Sequence, residues 1–476
     1  MIPPATQDMA LGMPSQIHDV IVIGGGLAAL CAAISAREHG ATVQMVDRAP
    51  AYQRGGNSRH SRNLRIAHEA PSALFPGRYT VEEFMEDLRQ TSQGGCDEAL
   101  TRTLAEGSLE LPAWLQAQGV HFERPAQGTL PWSRKTAFFL GGGRNMINAL
   151  FGRAEALGVD IRQDTRVEDL VLEDRDLHEI QARQQDQPLT LRARRVIVCS
   201  GGYQADREAL AAARGDAAQD FIIRGSPHVR GELLLSLLRQ GAAPSGQPGA
   251  CHLVAVNARS PDADGGIVTR VDGMPWGLVV DTQGHRFRDE GEIISPRRYS
   301  AWGRWVAERP DARAHLILDA RGHARAPTSI YAPVVAHTLE DLAIQLGIPP
   351  QNLADTVGRY HQSIVPGGDD PETHHTQGME PPKSRCALPL SQPPYFAHTM
   401  APGVTFTGHG LSVDTCGHIR RSRGPTCQTL LAAGMIMSPA ILGTGYVAGA
   451  ALTIGAVFGR IAGATAASGC PMEQHH

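Results

Sequence analysis

The stretch DVIVIGGGLAALCAAISAREHGATVQMVD, residues 19 to 47, constrains the fold of this chain more than any other. Asp19 to Ile23 reads as a short apolar strand and Gly24-Gly25-Gly26 as a turn without Cβ atoms. Leu27 to His39 carries the apolar spacing of a buried helix, and Thr42 to Val46 reads as a second strand that ends on Asp47. Gly24, Gly26 and Ala29 occupy the positions of a dinucleotide-binding fingerprint, and Asp47 follows Gly24 by 23 residues. Each part has a physical reason. Glycines let the backbone approach a pyrophosphate, the helix start offers unpaired N–H groups and a positive dipole end, and the acid accepts from a ribose hydroxyl. The stretch therefore predicts a dinucleotide-binding unit, the alternative being a buried βαβ unit with a tight turn and no ligand.

The fingerprint alone does not separate NAD from FAD. Two later stretches do. RRVIVCSGGY (194–203) and QTLLAAGMI (428–436) are apolar strands running into small residues, as expected where sheet strands pass beneath an extended cofactor. A nucleotide domain built from both chain termini, with the middle inserted as a cap, is an FAD arrangement. The expected fold is α/β, an FAD-binding Rossmann-like domain with an inserted α+β capping domain. The expected organisation is a leader at 1–18, the first part of the FAD domain at 19–222, the cap at 223–385 and the second part of the FAD domain at 386–476.

Composition limits the alternatives. A chain of 476 residues with 42% hydrophobic content can bury a large core and usually divides into two domains. A formal charge of −4 argues against nucleic-acid binding, so cations must act locally. Of 44 basic residues only Lys135 and Lys383 are lysine. Eight cysteines without a C-x-x-C pair leave no zinc or iron-sulfur site in the spacing, and free thiols are the expectation. The His374-His375 pair is read as part of a solvated loop, and no metal site is expected. No apolar run of about 20 residues is evident, and the first eighteen lack the pattern of a signal peptide, which leads to an expectation of a cytoplasmic protein.

RGGNSRHSRNLR (54–65) packs four arginines and a histidine behind a Gly-Gly-Asn-Ser turn, a density that calls for an anion or a solvated face. Together with VIVIGGGLAALCAA, AFFLGGGRNMINAL, GLVVDTQGHRFRDEGE and LGTGYVAGAALTIGAVFGRIAG, this segment resembles the flavoprotein family of fumarate reductase and succinate dehydrogenase. Within that family the chain is most similar to the FAD-dependent tricarballylate dehydrogenase branch. The resemblance runs from about residue 19 to 464. It implies FAD, a cap over the isoalloxazine ring, and hydride exchange between flavin N5 and a carbon next to a carboxylate.

The departures are equally specific. Asn57 stands where succinate dehydrogenases attach FAD through histidine, so the flavin is expected to be noncovalent. Gly273 and Tyr446 stand where fumarate reductases carry an acid arginine and a substrate arginine, and Met435 replaces an acid expected near an FAD hydroxyl. Fumarate reduction is therefore not the expected reaction.

The resemblance implies a set of site residues. For the cofactor these are Gly24, Gly26, Leu27, Ala28, Asp47 and Arg48, then Gly55, Gly56, Asn57 and Ser58 of the turn. Gly142, Gly143, Val167, Ser200, Gly201, Gly434, Gly445, Ala450 and Leu452 complete it. A last helix starting near Val447 is expected to point its positive end at the flavin. For the substrate the candidates are Arg59, His60, Arg62, Arg65, Arg259 and Tyr299, because a guanidinium fork binds a carboxylate with two parallel hydrogen bonds. Some of these arginines instead pairing with the pyrophosphate or with acids such as Glu69 is the structural alternative. Catalytic candidates are Tyr446, His252, His409, Arg270 and Arg298, with the proton-transferring group left open among them.

The expected function is dehydrogenation of a small polycarboxylate, tricarballylate to cis-aconitate in type, by hydride transfer to flavin N5. Alternatives are a flavin dehydrogenase or oxygenase of the same fold acting on a bulkier ketosteroid or corrin-like substrate, or an electron-transfer flavoprotein subunit. Since the chain carries no haem or iron-sulfur motif of its own, a separate membrane-associated haem or iron-sulfur protein is the expected electron partner. That partner would place the chain at the inner membrane's cytoplasmic side.

Overall fold

The computed structural model describes residues 16–124, 133–295 and 298–470. The expected leader at 1–18 lies almost wholly outside the described residues. Two sheets organise the rest. The first takes β1 (Ile17–Ile23), β2 (Val43–Val46), β3 (Asp160–Arg162), β4 (Thr165–Asp169), β5 (His178–Gln184) and β6 (Gln187–Val198) in the order β3-β2-β1-β6-β5-β4. β13 (Leu430–Ala432), from the far end of the chain, joins it parallel to β6. The second sheet contains β7 (Ile222–Ile223), β8 (Pro244–Asn257), β9 (Leu278–Val280), β10 (Ala314–Leu318), β11 (Val334–Ala336) and β12 (Tyr395–Leu411).

The sheet at the fingerprint forms for the expected reason. β1 and β2 are parallel, with Val20 opposite Val43 and Ile23 opposite Val46, and the connecting helix α1 (Leu27–Glu38) is buried from Leu27 to Ala36. An apolar helix over a parallel pair removes both from water in one step. α1 then packs on the terminal helix α4 (Ala450–Ser468). That crossing is close: an added Cβ at Gly459 would lie 2.5 Å from the Ala28 carbonyl oxygen, and one at Gly463 would lie 2.3 Å from that of Ala32. Small residues on both helices thus dock the end of the chain against its beginning. The first of the four labelled helices therefore touches the last; α2 (Gly142–Ala156) and α3 (Arg298–Ala307) lie between them in sequence.

Three expectations need correction. α4 is apolar and, at 19 residues, long enough to cross a bilayer, contrary to the reading that no such run exists. It is 61% buried inside the protein, which accounts for its apolar composition through core packing. α4 begins at Ala450, not near Val447. Cys416 and Cys470 form a disulfide with Cα atoms 5.7 Å apart, so not all eight thiols are free. β12, which falls in the expected 386–476 segment, is the hub of the second sheet, pairing with β7, β8, β10 and β11. At the far end of its seventeen residues Gly410 packs against the Ile436 carbonyl.

Candidate cofactor and substrate site

A cavity of about 370 Å³ runs from the C-terminal ends of β1 and β2 to the face of the second sheet. Its near end is a cradle. Gly24, Gly26, Leu27 and Ala28 form the wall where α1 starts, and Gly26 at the N-cap has no side chain of its own to cap that helix. Its positive end is thereby left to face the cavity. Ser58 Oγ accepts from the Leu27 N–H at 3.1 Å, which ties the Gly-Gly-Asn-Ser turn to the helix start.

Asp47 is buried on the same wall, and its Oδ1 accepts from the Ala49 N–H at 3.2 Å. Its Oδ2 is buried without any partner. Burial accordingly pushes this carboxyl up to about 6. A Cβ at Gly25 would fall 1.9 Å from that oxygen, so only glycine leaves the acid this position. A buried acceptor without a donor is costly, and a sugar hydroxyl is the donor that would relieve it. Ser200 Oγ, also buried and unpartnered, lies on the same cavity. The cradle therefore fits the ribose and pyrophosphate of FAD.

Arg48, Gly56, Asn57, Ser58, Val167, Gly201, Gly434 and Leu452 also line the cavity. Asn57 uses both ends of its amide: Nδ2 donates to the Thr405 carbonyl at 2.6 Å, and Oδ1 accepts from the Ser226 N–H at 2.9 Å. It clamps the turn to β12 and to the segment after β7. Five expected cofactor residues stand behind the wall. Gly55 packs on Ile147, and Gly142 and Gly143 at the start of α2 brace Ser61, to whose carbonyl the Gly143 N–H donates. Gly445 abuts Thr91, and Ala450 is fully buried in the first turn of α4.

The far end is a chamber lined by Arg62, Arg224, His252, Arg270, Tyr299, Phe406 and Tyr446, with His60 at its edge. The His252 and Tyr446 rings stack, and Phe406 lies 5.1 Å from His252 between centroids. Burial, reinforced by Arg224 and Arg304, drives the His252 pKa well below 6.5, so its imidazole is neutral at pH 7. Its Nδ1 is 3.3 Å from Ser300 Oγ on α3. Burial beside Tyr299 pushes the Tyr446 phenol upward, keeping it protonated. The Arg270 guanidinium covers the Tyr299 ring at 4.3 Å and pairs with Asp272 at 2.9 Å.

Several expected substrate and catalytic residues do not reach this chamber. Arg65 is buried among the Ala448 carbonyl, the Tyr79 hydroxyl and Asp87, with its Nη1 2.6 Å from Asp87 Oδ2. Arg59 and His60 both bond to Asp264, and only His60 also borders the cavity. Arg259 bonds to Asn257 and the Ala332 carbonyl and covers the Tyr331 ring. Arg298 holds Asp272 at 2.7 Å from the start of α3. His409 sits off the cavity with its ring edge-on to Tyr203. Glu69, the acid suspected of pairing with the arginine segment, instead holds Arg78. For the arginines among them, a nearer acid or carbonyl satisfies the cation. Arg224, which also lines the cavity, is not among the residues expected from sequence. It follows the apolar run FII, a position whose only signal is a charge ending a buried strand.

The relatives agree with the cradle. The family model described as an FAD binding domain matches residues 19–452. The chain is 26% identical over 469 residues to the probable fumarate reductase Ifc3 of Shewanella frigidimarina, covering 95% of this chain and 75% of that protein. It is 25% identical over 520 residues to the NADH:acrylate oxidoreductase of Vibrio harveyi, covering 94% of this chain and half (50%) of that protein. The structure of the open conformation of a flavocytochrome c3 fumarate reductase superposes with a TM-score of 0.76 at 24% identity, covering 95% of this chain and 78% of that one. With an FAD cradle on the page and a family model spanning nearly its whole length, the chain belongs to the FAD binding domain family and is an FAD-dependent oxidoreductase.

Proposed function

We propose that this protein dehydrogenates a small polycarboxylate of the tricarballylate type to the corresponding alkene. One observation carries the reading: the chamber wall holds Arg62, Arg224 and Arg270, while the acids on the cavity, Asp47 and Glu232, both belong to the cradle end. Glu232 is already bonded there to Arg48. A chamber with surplus cations favours an anionic substrate.

Bound FAD would supply the hydride acceptor. The chain's own residues would do the rest. The arginines would bind carboxylates and stabilise the charge that develops when the α-proton leaves. The neutral His252 imidazole has a lone pair to accept that proton, and the protonated Tyr446 hydroxyl is placed to donate or relay one. Asp272 would hold Arg270 in position. Electrons would leave through a separate membrane-associated haem or iron-sulfur protein at the cytoplasmic face.

A second reading, a bulkier ketone such as a ketosteroid, is favoured by the aromatic wall of His252, Phe406 and Tyr446. Anaerobic mixing of the yellow holoprotein with tricarballylate, with smaller dicarboxylates and with a 3-ketosteroid decides between them. Bleaching of the flavin by the tricarboxylate supports the proposal. Bleaching by the steroid alone refutes it.

A further inference from the structure

We infer that Arg224 is the specificity-determining residue of the chamber, binding an additional substrate carboxylate side-on through its free guanidinium edge. The inference rests on the polycarboxylate reading of the same chamber and assigns one group of that substrate to one residue.

Arg224 follows β7, which runs parallel to β12 with Ile222 opposite Gly403 and Ile223 opposite Val404. Its side chain crosses β12 over Gly403. A Cβ there would lie 2.7 Å from Arg224 Cγ and 2.8 Å from Cδ, so the missing side chain is what opens the groove for the arginine stem. Further on, Nη1 donates to Thr405 Oγ1 at 2.7 Å. That bond sets the plane of the guanidinium. Nε is buried with no partner, and Arg224 takes part in no ion pair among the described residues.

The residue is only 7% exposed, yet it lines the cavity. Burial lowers its pKa to about 10, which still leaves it charged at pH 7. An isolated buried cation is strongly unfavourable unless an anion meets it. With Nη1 committed to Thr405, the edge made of Nε and Nη2 is the one left for a ligand, and its two parallel N–H groups match the two oxygens of a carboxylate. The other cations of the region differ. Arg59 is paired with Asp264, Arg270 with Asp272 and Arg65 with Asp87, and burial lowers the pKa of the His60 imidazole. Arg62 is exposed and lies over the Phe138 ring. Arg224 is therefore the interior cation placed to distinguish a substrate with one carboxylate more from one with fewer.

Calorimetric titration of the holoprotein with propane-1,2,3-tricarboxylate and with butanedioate, alongside flavin content on the same preparations, tests this. The wild type should prefer the tricarboxylate. Arg224→Gln should weaken that ligand about ten- to a hundredfold and the dicarboxylate much less, so the preference collapses with FAD retained. Arg224→Lys should fall between, since it keeps the charge and loses the fork. Gly403→Ala alters no charge and should reproduce the loss by displacing the guanidinium, which keeps the test open if Arg224→Gln does not fold. An unchanged preference in Arg224→Gln, or in a stably folded Gly403→Ala, overturns the inference alone. Flavin loss with unchanged anion affinity also overturns it and assigns Arg224 to the cofactor. A wild type that binds neither acid overturns both this inference and the polycarboxylate reading.

Discussion

The imidazole of His252 lies flat against the phenol ring of Tyr446, with centroids 3.9 Å apart and planes 10° from parallel. One ring comes from β8 of the second sheet and the other from the loop before α4, so the stack joins the second sheet to the segment that leads into α4. His252→Phe should keep the stack and remove the ring nitrogens. Turnover should fall about 10²- to 10⁴-fold with FAD content unchanged, as expected for the loss of a general base. Tyr446→Phe should fall less. Steady-state kcat on flavin-normalised preparations checks both, and a fully active His252→Phe removes the histidine from the chemistry.

Asp47 should hold the adenosine ribose through its unpartnered Oδ2. Asp47→Ala should lower the flavin-to-protein ratio while leaving the circular dichroism spectrum intact. Because the residue in the Gly-Gly-Asn-Ser turn is Asn57, whose amide is no nucleophile toward flavin, acid precipitation should release all flavin into the supernatant. Yellow colour remaining in the pellet would show a covalent link.

Arg65 should behave as a structural residue. Arg65→Met breaks a buried pair, and the expected cost is about 3 kcal/mol, the low end for such pairs, since Lys135 remains to hold Asp87. The melting temperature should drop while the substrate KM of the folded enzyme stays put. A KM rise without loss of stability would return Arg65 to the substrate site.

Acid should weaken the fold through buried histidines. Burial pushes His178, His315 and His398 down to about 4, against 6.5 in the unfolded chain. Between those values the unfolded state binds more protons, so stability falls as pH drops from about 6.5 to 4 and this contribution levels off below. Thermal melts across that window should show a steady decline. A flat profile would mean that these imidazoles are not buried in neutral form.

Much of the cofactor half was legible because its signals are local. Strand, glycine turn, helix, strand and acid follow one another within residues 19–47, and short-range periodicity specifies them. The charged chemistry was not legible. RGGNSRHSRNLR shows four arginines of equal standing in sequence, yet Asp264 claims Arg59, Asp87 claims Arg65, and Asn148 and Glu155 lie beside Arg54. Those acids are dispersed from residue 87 to residue 264, and no local pattern ranks them.

By itself, then, the sequence determined the nucleotide-binding unit, the return of the chain's end to it and the family. Tertiary structure alone decided which cations stay free, because an ion pair depends on distances of a few ångströms that only packing sets. Among the described residues it left Arg224 without an ion pair over Gly403, two residues far apart in sequence and brought together by one pair of parallel strands.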